Sequence, residues 1–185
     1  FGSVQGQNVT IGSGTTTAYT LPVNAYWGYS YTQQIVLKSE INQSGTIYFL
    51  RFYMVGGVAL SNSNDWTIYM GHTSKTSFST TTDWVPLTGL TQVWTGTITA
   101  TPPAGWYEIE LDTPFAYNNT DNLVIAVDEN KASCNGSSSY ARTWPAPAPN
   151  NSNRSIAYYN DNTDPNPASP PTANTRYAYI NQMQL

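Results

Sequence analysis

Apolar and polar positions alternate with a period of two along most of the chain, and no long stretch carries the spacing of an amphipathic helix. The clearest such segments are QQIVLKSEI (33–41), GTIYFLRFYMV (45–55), DWTIYMG (65–71), TQVWTGTI (91–98), GWYEIEL (105–111) and NLVIAVDE (122–129). Each is rich in β-branched and aromatic residues and is bounded by Gly, Asn, Ser or Pro, which predicts strands. In WYEIEL, Trp106, Glu108 and Glu110 fall on one face and Tyr107, Ile109 and Leu111 on the other, so one face meets the core and one meets water. NVTIG (8–12), RSIAYY (154–159) and RYAYINQMQL (176–185) are weaker strands of the same kind.

Many short strands with no βαβ rhythm predict an all-β fold, an antiparallel β-sandwich of jelly-roll type. At 185 residues the chain reads as a single domain, 1–185, with enough length for a proper core. Two segments break the alternation, TWPAPAPNNSN (143–153) and NDNTDPNPASPPTANT (160–175). Their prolines bar them from central strands and predict long surface loops, where binding residues tend to sit.

Composition narrows the function classes. Only 10% of residues are charged while 14% are aromatic, the profile of a secreted β-rich protein. The net charge is −4 with seven Lys and Arg, so no basic stripe exists to meet nucleic acid or an anionic membrane. No run approaches the ~18 apolar residues of a membrane helix, and none is expected to insert. The sequence starts at Phe1 without a methionine, which suggests a mature or excised segment of a larger secreted or cell-surface protein. Cys134 stands alone and permits neither an internal disulfide nor a CxxC motif.

Candidate chemistry is sparse. His72, the only histidine, lies in GHTSKTS where a strand meets a turn, with no nucleophile elbow and no second histidine for zinc. A hydrogen-bonded role at the strand end is expected of it rather than catalysis. Glu108 and Glu110 are two apart on one strand face, about 6.6 to 6.8 Å between Cα atoms, a spacing that a glycosidase pair could use. No neighbouring apolar pocket would raise the pKa of either one, so a solvated face is the expected reading and no enzyme is predicted. A structural calcium ion is the one cofactor considered, with Asp121, Asp128 and Glu129 of NNTDNLVIAVDEN as its ligands. The alternative is that Asp121 only turns the chain before the strand.

The aromatic residues give a third signal. AYWGYSY (25–31) sets Tyr29 and Tyr31 on one strand face, with Trp27 on the same alternation. Trp66, Trp94 and Trp106 lie inside strong strands and are expected in the core or in cross-strand pairs. Trp84 and Trp144 sit in TTDWVP and RTWPAP, beside turn residues and proline, where exposed indoles are expected. Trp84, Trp144, Trp27, Tyr29 and Tyr31 are therefore the candidate ligand-binding residues, because flat rings with polar edges suit sugar rings.

The series YTQQIVLKSEI, GTIYFLRFYMV, DWTIYMGHTSKTSF, TTDWVPLTGLTQVWTG, GWYEIELDTPFAYNNTDNLVIAVDEN and RSIAYY resembles the jelly-roll modules of large secreted multidomain proteins of Bacteroidetes-type bacteria. Its organisation is similar to that of cleaved-adhesin and MAM-like sandwiches, over residues ~25 to 160. The resemblance implies a non-catalytic role in adhesion, in glycan binding or in spacing along a surface protein. Two readings follow: a module that binds a polysaccharide or glycoprotein through loop aromatics, or a structural unit packing against neighbouring copies or domains. In the resemblance GHTS belongs to the scaffold, while the two proline-rich loops depart from the common pattern.

Overall fold

The computed structural model describes residues 7–150 and 152–185. In chain order its elements are β1 (Thr10–Ile11), β2 (Thr17–Ala18), β3 (Tyr29–Val36), α1 (Lys38–Ile41), β4 (Gly45–Met54), β5 (Asp65–Thr73), β6 (Thr91–Thr97), β7 (Gly105–Tyr117) and β8 (Asn122–Glu129). There follow β9 (Ala141–Pro145), β10 (Ser155–Asn160), β11 (Thr175–Tyr177), β12 (Tyr179–Asn181) and β13 (Met183–Gln184). One sheet has the order β11-β10-β3-β8-β5-β6. The other runs β1-β13-β4-β9-β12, with β2 on β9 and β7 on β4. All pairings are antiparallel, and the chain passes repeatedly from one sheet to the other, with the β5–β6 hairpin kept inside the six-stranded one, so the expected all-β sandwich is the fold. No helix among the described residues is long and apolar enough to cross a membrane.

The main core fills the space between the sheets with Leu50, Phe52 and Met54 of β4, Trp66, Ile68 and Met70 of β5, and Leu123, Ile125 and Val127 of β8. Those residues recur every second position, as a half-buried strand requires. A second core lies on the outer face of the six-stranded sheet, where Tyr31, Ile35, Val124, Ala126 and Ile156 pack under Phe78, Trp84, Val85 and Ala173 from loops. Strand β8 is thus buried on both faces along its whole length, which accounts for the unbroken apolar run LVIAV. Gly71 marks the place where a loop crosses that face: a Cβ there would lie 2.3 Å from the Gly89 carbonyl oxygen.

Three expectations are corrected. The segment 33–41 is not one strand, because β3 ends at Val36 and KSEI forms the helical turn α1. The Glu40 carboxylate accepts the Leu37 N–H at 2.7 Å, and Asn42 closes the turn in the left-handed region at φ 55°. Trp27 precedes β3 in a turn and does not share the strand alternation of Tyr29. The loop expected over 143–153 begins later, since β9 runs through Trp144 to Pro145, and Tyr179 of β12 pairs with Pro145 at the sheet edge.

The described chain opens and closes side by side. Strand β1 pairs with β13, and beyond them Val9 and Leu185 exchange both backbone hydrogen bonds, at 2.9 and 3.0 Å. The C-terminal strand expected over 176–185 is divided: β11 joins the six-stranded sheet, and the chain then crosses at Ala178 so that β12 joins the other.

Candidate functional site

The crossing at Ala178 gathers aromatic side chains from five segments at one edge of the sandwich. Tyr19 and Tyr26 have ring centroids 6.2 Å apart, Tyr26 and Trp27 5.7 Å, and Trp27 stacks on Tyr159 at 5.2 Å with 27° between planes. Tyr177 stacks on Tyr179 at 4.9 Å and 24°. Burial raises both of these phenol pKa values above the ordinary value, with Tyr159 and Tyr19 adding to it, and the Tyr179 hydroxyl meets that of Thr20, the residue after Tyr19, at 3.0 Å. Tyr26 is 48% exposed, while Tyr19, Trp27, Tyr159, Tyr177 and Tyr179 are half-buried.

Backbone bonds fix the edge. Asp161 Oδ1 accepts the Gly28 N–H at 3.1 Å, Asn174 Oδ1 accepts the Tyr159 N–H at 2.8 Å, and the Thr20 and Tyr179 hydroxyls are 3.0 Å apart. Gly28 is required because a Cβ would meet the Asp161 carbonyl oxygen at 2.9 Å. Among the described residues no hydrogen-bond partner is found for the Trp27 indole N–H or the Tyr26 and Tyr159 hydroxyls, on side chains that are exposed or half-buried. The edge therefore offers flat apolar faces ringed by free donors and acceptors.

The other expected binding residues lie elsewhere. Trp84 is 9% exposed: its ring lies 5.2 Å from that of Tyr31, and its indole N–H donates to the Pro171 carbonyl at 2.9 Å. Tyr31 has no exposure at all. Both belong to the second core, because an outer sheet face this apolar needs a cover and the loop carrying Trp84 supplies it. Trp144 is half-buried on β9, packed against the main core and over Gly12. Tyr29 is half-buried at the start of β3, opposite Asn160, one residue beyond the Gly28 turn. Of the other tryptophans, Trp66 is in the core, Trp94 packs against it, and Trp106 is 37% exposed and edge-on to its cross-strand partner Tyr53 at 5.1 Å.

The acidic candidates do not form one group. Asp121 stands before β8, where Asn118 Oδ1 accepts the Thr120 and Asp121 N–H groups and Asn118 Nδ2 donates to Asp121 Oδ2 at 2.9 Å, a chain-turning role. Asp128 lies about 23 Å further along the strand, at roughly 3.3 Å per residue. Asp128 and Glu129, as neighbours in β8, point to opposite faces. Burial, with the charges of Asp164 and then Asp65, pushes the Asp128 carboxyl up to about 8. Burial likewise pushes Glu129 up to about 9, against the hydrogen bond it accepts from the Lys131 N–H.

His72 Nε2 accepts the Asn118 N–H at 3.1 Å, and its ring lies on Tyr117 at 5.7 Å and 21°, the expected strand-end role. Glu108 accepts from Arg51 Nε at 2.7 Å across the β4–β7 pair, on the solvated outer face. A groove of about 630 Å³ opens beside the first half of β4, between Ile41, Ile47, Tyr48 and Leu185. Arg51 is its one charged side chain among the described residues, so it brings no acid–base pair together. No family model matches the chain, and no curated protein or solved structure matches it significantly.

Proposed function

We propose that this chain is a non-catalytic extracellular binding module, carried by a secreted or cell-surface protein of the Bacteroidetes type, that takes a polysaccharide or the glycan of a glycoprotein on its aromatic edge. The observation that carries this reading is the unbroken contact of half-exposed rings from Tyr19 through Tyr26 and Trp27 to Tyr159. Rings of this kind contribute large contact areas with little lost rotamer freedom, and their free hydroxyl and indole groups meet sugar hydroxyls. The low charge of the chain and the resemblance of its strand sequences to those of adhesin-type modules support the same reading.

Retention of the purified chain on insoluble and immobilised glycans tests it. Removing one stacked ring is worth about 1.5 to 3 kcal/mol of burial, so Trp27→Ala weakens retention about 10- to 150-fold. Its melting temperature stays close to that of the parent, because the ring is not part of either core. Equal retention of Trp27→Ala and Tyr159→Ala with the parent would remove the aromatic edge as the binding surface. A chain that binds no glycan but sediments as an oligomer would favour the structural-unit alternative.

A further inference from the structure

The outer face of the six-stranded sheet ends in an acid, Asp128, one of whose oxygens has no hydrogen-bond partner among the described residues. Asp128 is 5% exposed, and its Oδ1 is fully buried without a hydrogen bond. Opposite it in the register is Thr67 of β5, so Asp65, two residues earlier on that strand, leaves the same face as a diagonal neighbour. Asp164 comes over from the loop after β10, near enough for its charge to act on Asp128. The loop is anchored there: Pro165 is buried, and Asn160 Oδ1 accepts the N–H groups of Asn162 and Thr163 at 2.8 and 3.0 Å.

No counter-charge answers these three carboxyls among the described residues. The ion pairs engage Arg51, Lys75 and Arg154 at other places. Lys131, the basic residue closest in sequence, donates its ammonium to the Ser61 carbonyl and to Asn64 Oδ1. A buried carboxyl with acidic neighbours and no donor costs several kcal/mol when ionised, a cost that a bound cation removes.

We propose that Asp128, Asp65 and Asp164 form a binding site for a divalent cation of the calcium class, which fastens the 161–174 loop to the outer face of the sheet. Asp128 is the fixed ligand, held by β8 in the sheet interior, whereas Asp65 and Asp164 are exposed and free to turn. No three acidic, His or Cys side chains among the described residues already converge on one point, so the two exposed acids swing onto Asp128 when the ion binds. Calcium suits such a site, since it accepts irregular geometry and completes its six to eight oxygen ligands with carbonyls and water. Asp121, at the far end of β8, and Glu129, on the opposite face, take no part in this set.

Terbium luminescence, excited through the nearby Tyr31 and Tyr69, reads the site directly in the full chain without any glycan present. The expected result is saturable emission that calcium displaces, with a dissociation constant of about 10⁻⁴ to 10⁻³ M, as in extracellular modules. Calcium also raises the melting temperature over that in chelator. Asp128→Asn and the loop variant Asp164→Asn each weaken binding at least about tenfold, or 1.4 kcal/mol, while Asp121→Asn binds as the parent does. Should Asp128→Asn fail to fold, Asp164→Asn decides alone, because its side chain is exposed. Absence of saturable binding, or binding unchanged in Asp164→Asn, overturns the proposal. A melting temperature insensitive to calcium, together with a more stable Asp128→Asn, overturns it too and makes Asp128 a buried neutral acid.

Discussion

Trp84 touches Tyr31 with its ring and Pro171 with its indole N–H, so Trp84→Ala opens a cavity over the sheet and leaves a carbonyl without its donor. A loss of about 3 to 5 kcal/mol is expected, the usual cost of truncating a buried large aromatic side chain. Denaturant unfolding measures it, and a change below 1 kcal/mol, the scale of an ordinary surface substitution, would contradict the burial. Trp27 should respond in the opposite sense, losing binding and keeping stability. His72→Gln removes the stack on Tyr117 while leaving an acceptor near the Asn118 N–H, so a loss of about 1 kcal/mol is expected, with glycan retention unchanged. Local sequence points the wrong way for both tryptophans, since AYWGYSY sets Trp27 on a strand alternation and TTDWVP sets Trp84 in an exposed loop. What separates them is whether an apolar sheet face lies beneath, and that depends on residues 50 or more positions away, such as Tyr31.

The strands themselves were legible because their alternation reflects a local fact, the pleat that sends successive side chains to opposite faces. Strand β8 spans the expected 122–129, and its unbroken run LVIAV carries the further message that both faces are covered. The turn α1 escaped because QQIVLKSEI keeps a strand-like pattern past Val36. Its reason for being is distant: the fully buried Arg154 donates to Glu40 at 2.7 and 3.1 Å and to the Ile35 carbonyl. Glu40→Ala leaves that guanidinium buried and unpaired, and a loss of about 3 to 5 kcal/mol is expected in chemical denaturation. Asp83 fastens the loop that carries Trp84. Burial raises its carboxyl pKa, but Lys75 and the two Ser79 bonds together hold it below its ordinary value of 3.8. The depressed value means that Asp83 adds stability above the ordinary carboxylate range and loses it as the pH falls through the folded value. Parent and Asp83→Asn should therefore differ most in melting temperature near neutral pH and converge as the pH falls through the lowered folded value. A gap that persists in acid would assign the effect to packing.

At the scale of the whole molecule, the aromatic edge could be read only in fragments. AYWGYSY drew notice to Trp27 and Tyr29, but Tyr19, Tyr159, Tyr177 and Tyr179 join them only because β11 and β12 end up at the same edge of two different sheets. A single strand spanning 176–185 would have sent Tyr177 and Tyr179 along one sheet, and no composition signal marks the crossing at Ala178. The acidic residues show the reverse: Asp121 stands at the opposite end of β8 from Asp128 and Glu129, while Asp65 and Asp164, 99 positions apart in the numbering, come to the Asp128 end.

The closure of β1 on β13 has a mechanical meaning. Val9 and Leu185 lie side by side, so opposed forces applied at these two residues act across the β1–β13 ladder and open its rungs one at a time. Such peeling yields at far lower force than the sliding apart of two long strands, in which many rungs share the load. Tethered at those points in an optical trap, the domain should extend first by release of these two short strands, leaving most of the sandwich folded. Pulled at those two residues, it gives way gently at its closure, with its aromatic edge still intact when the tether begins to lengthen.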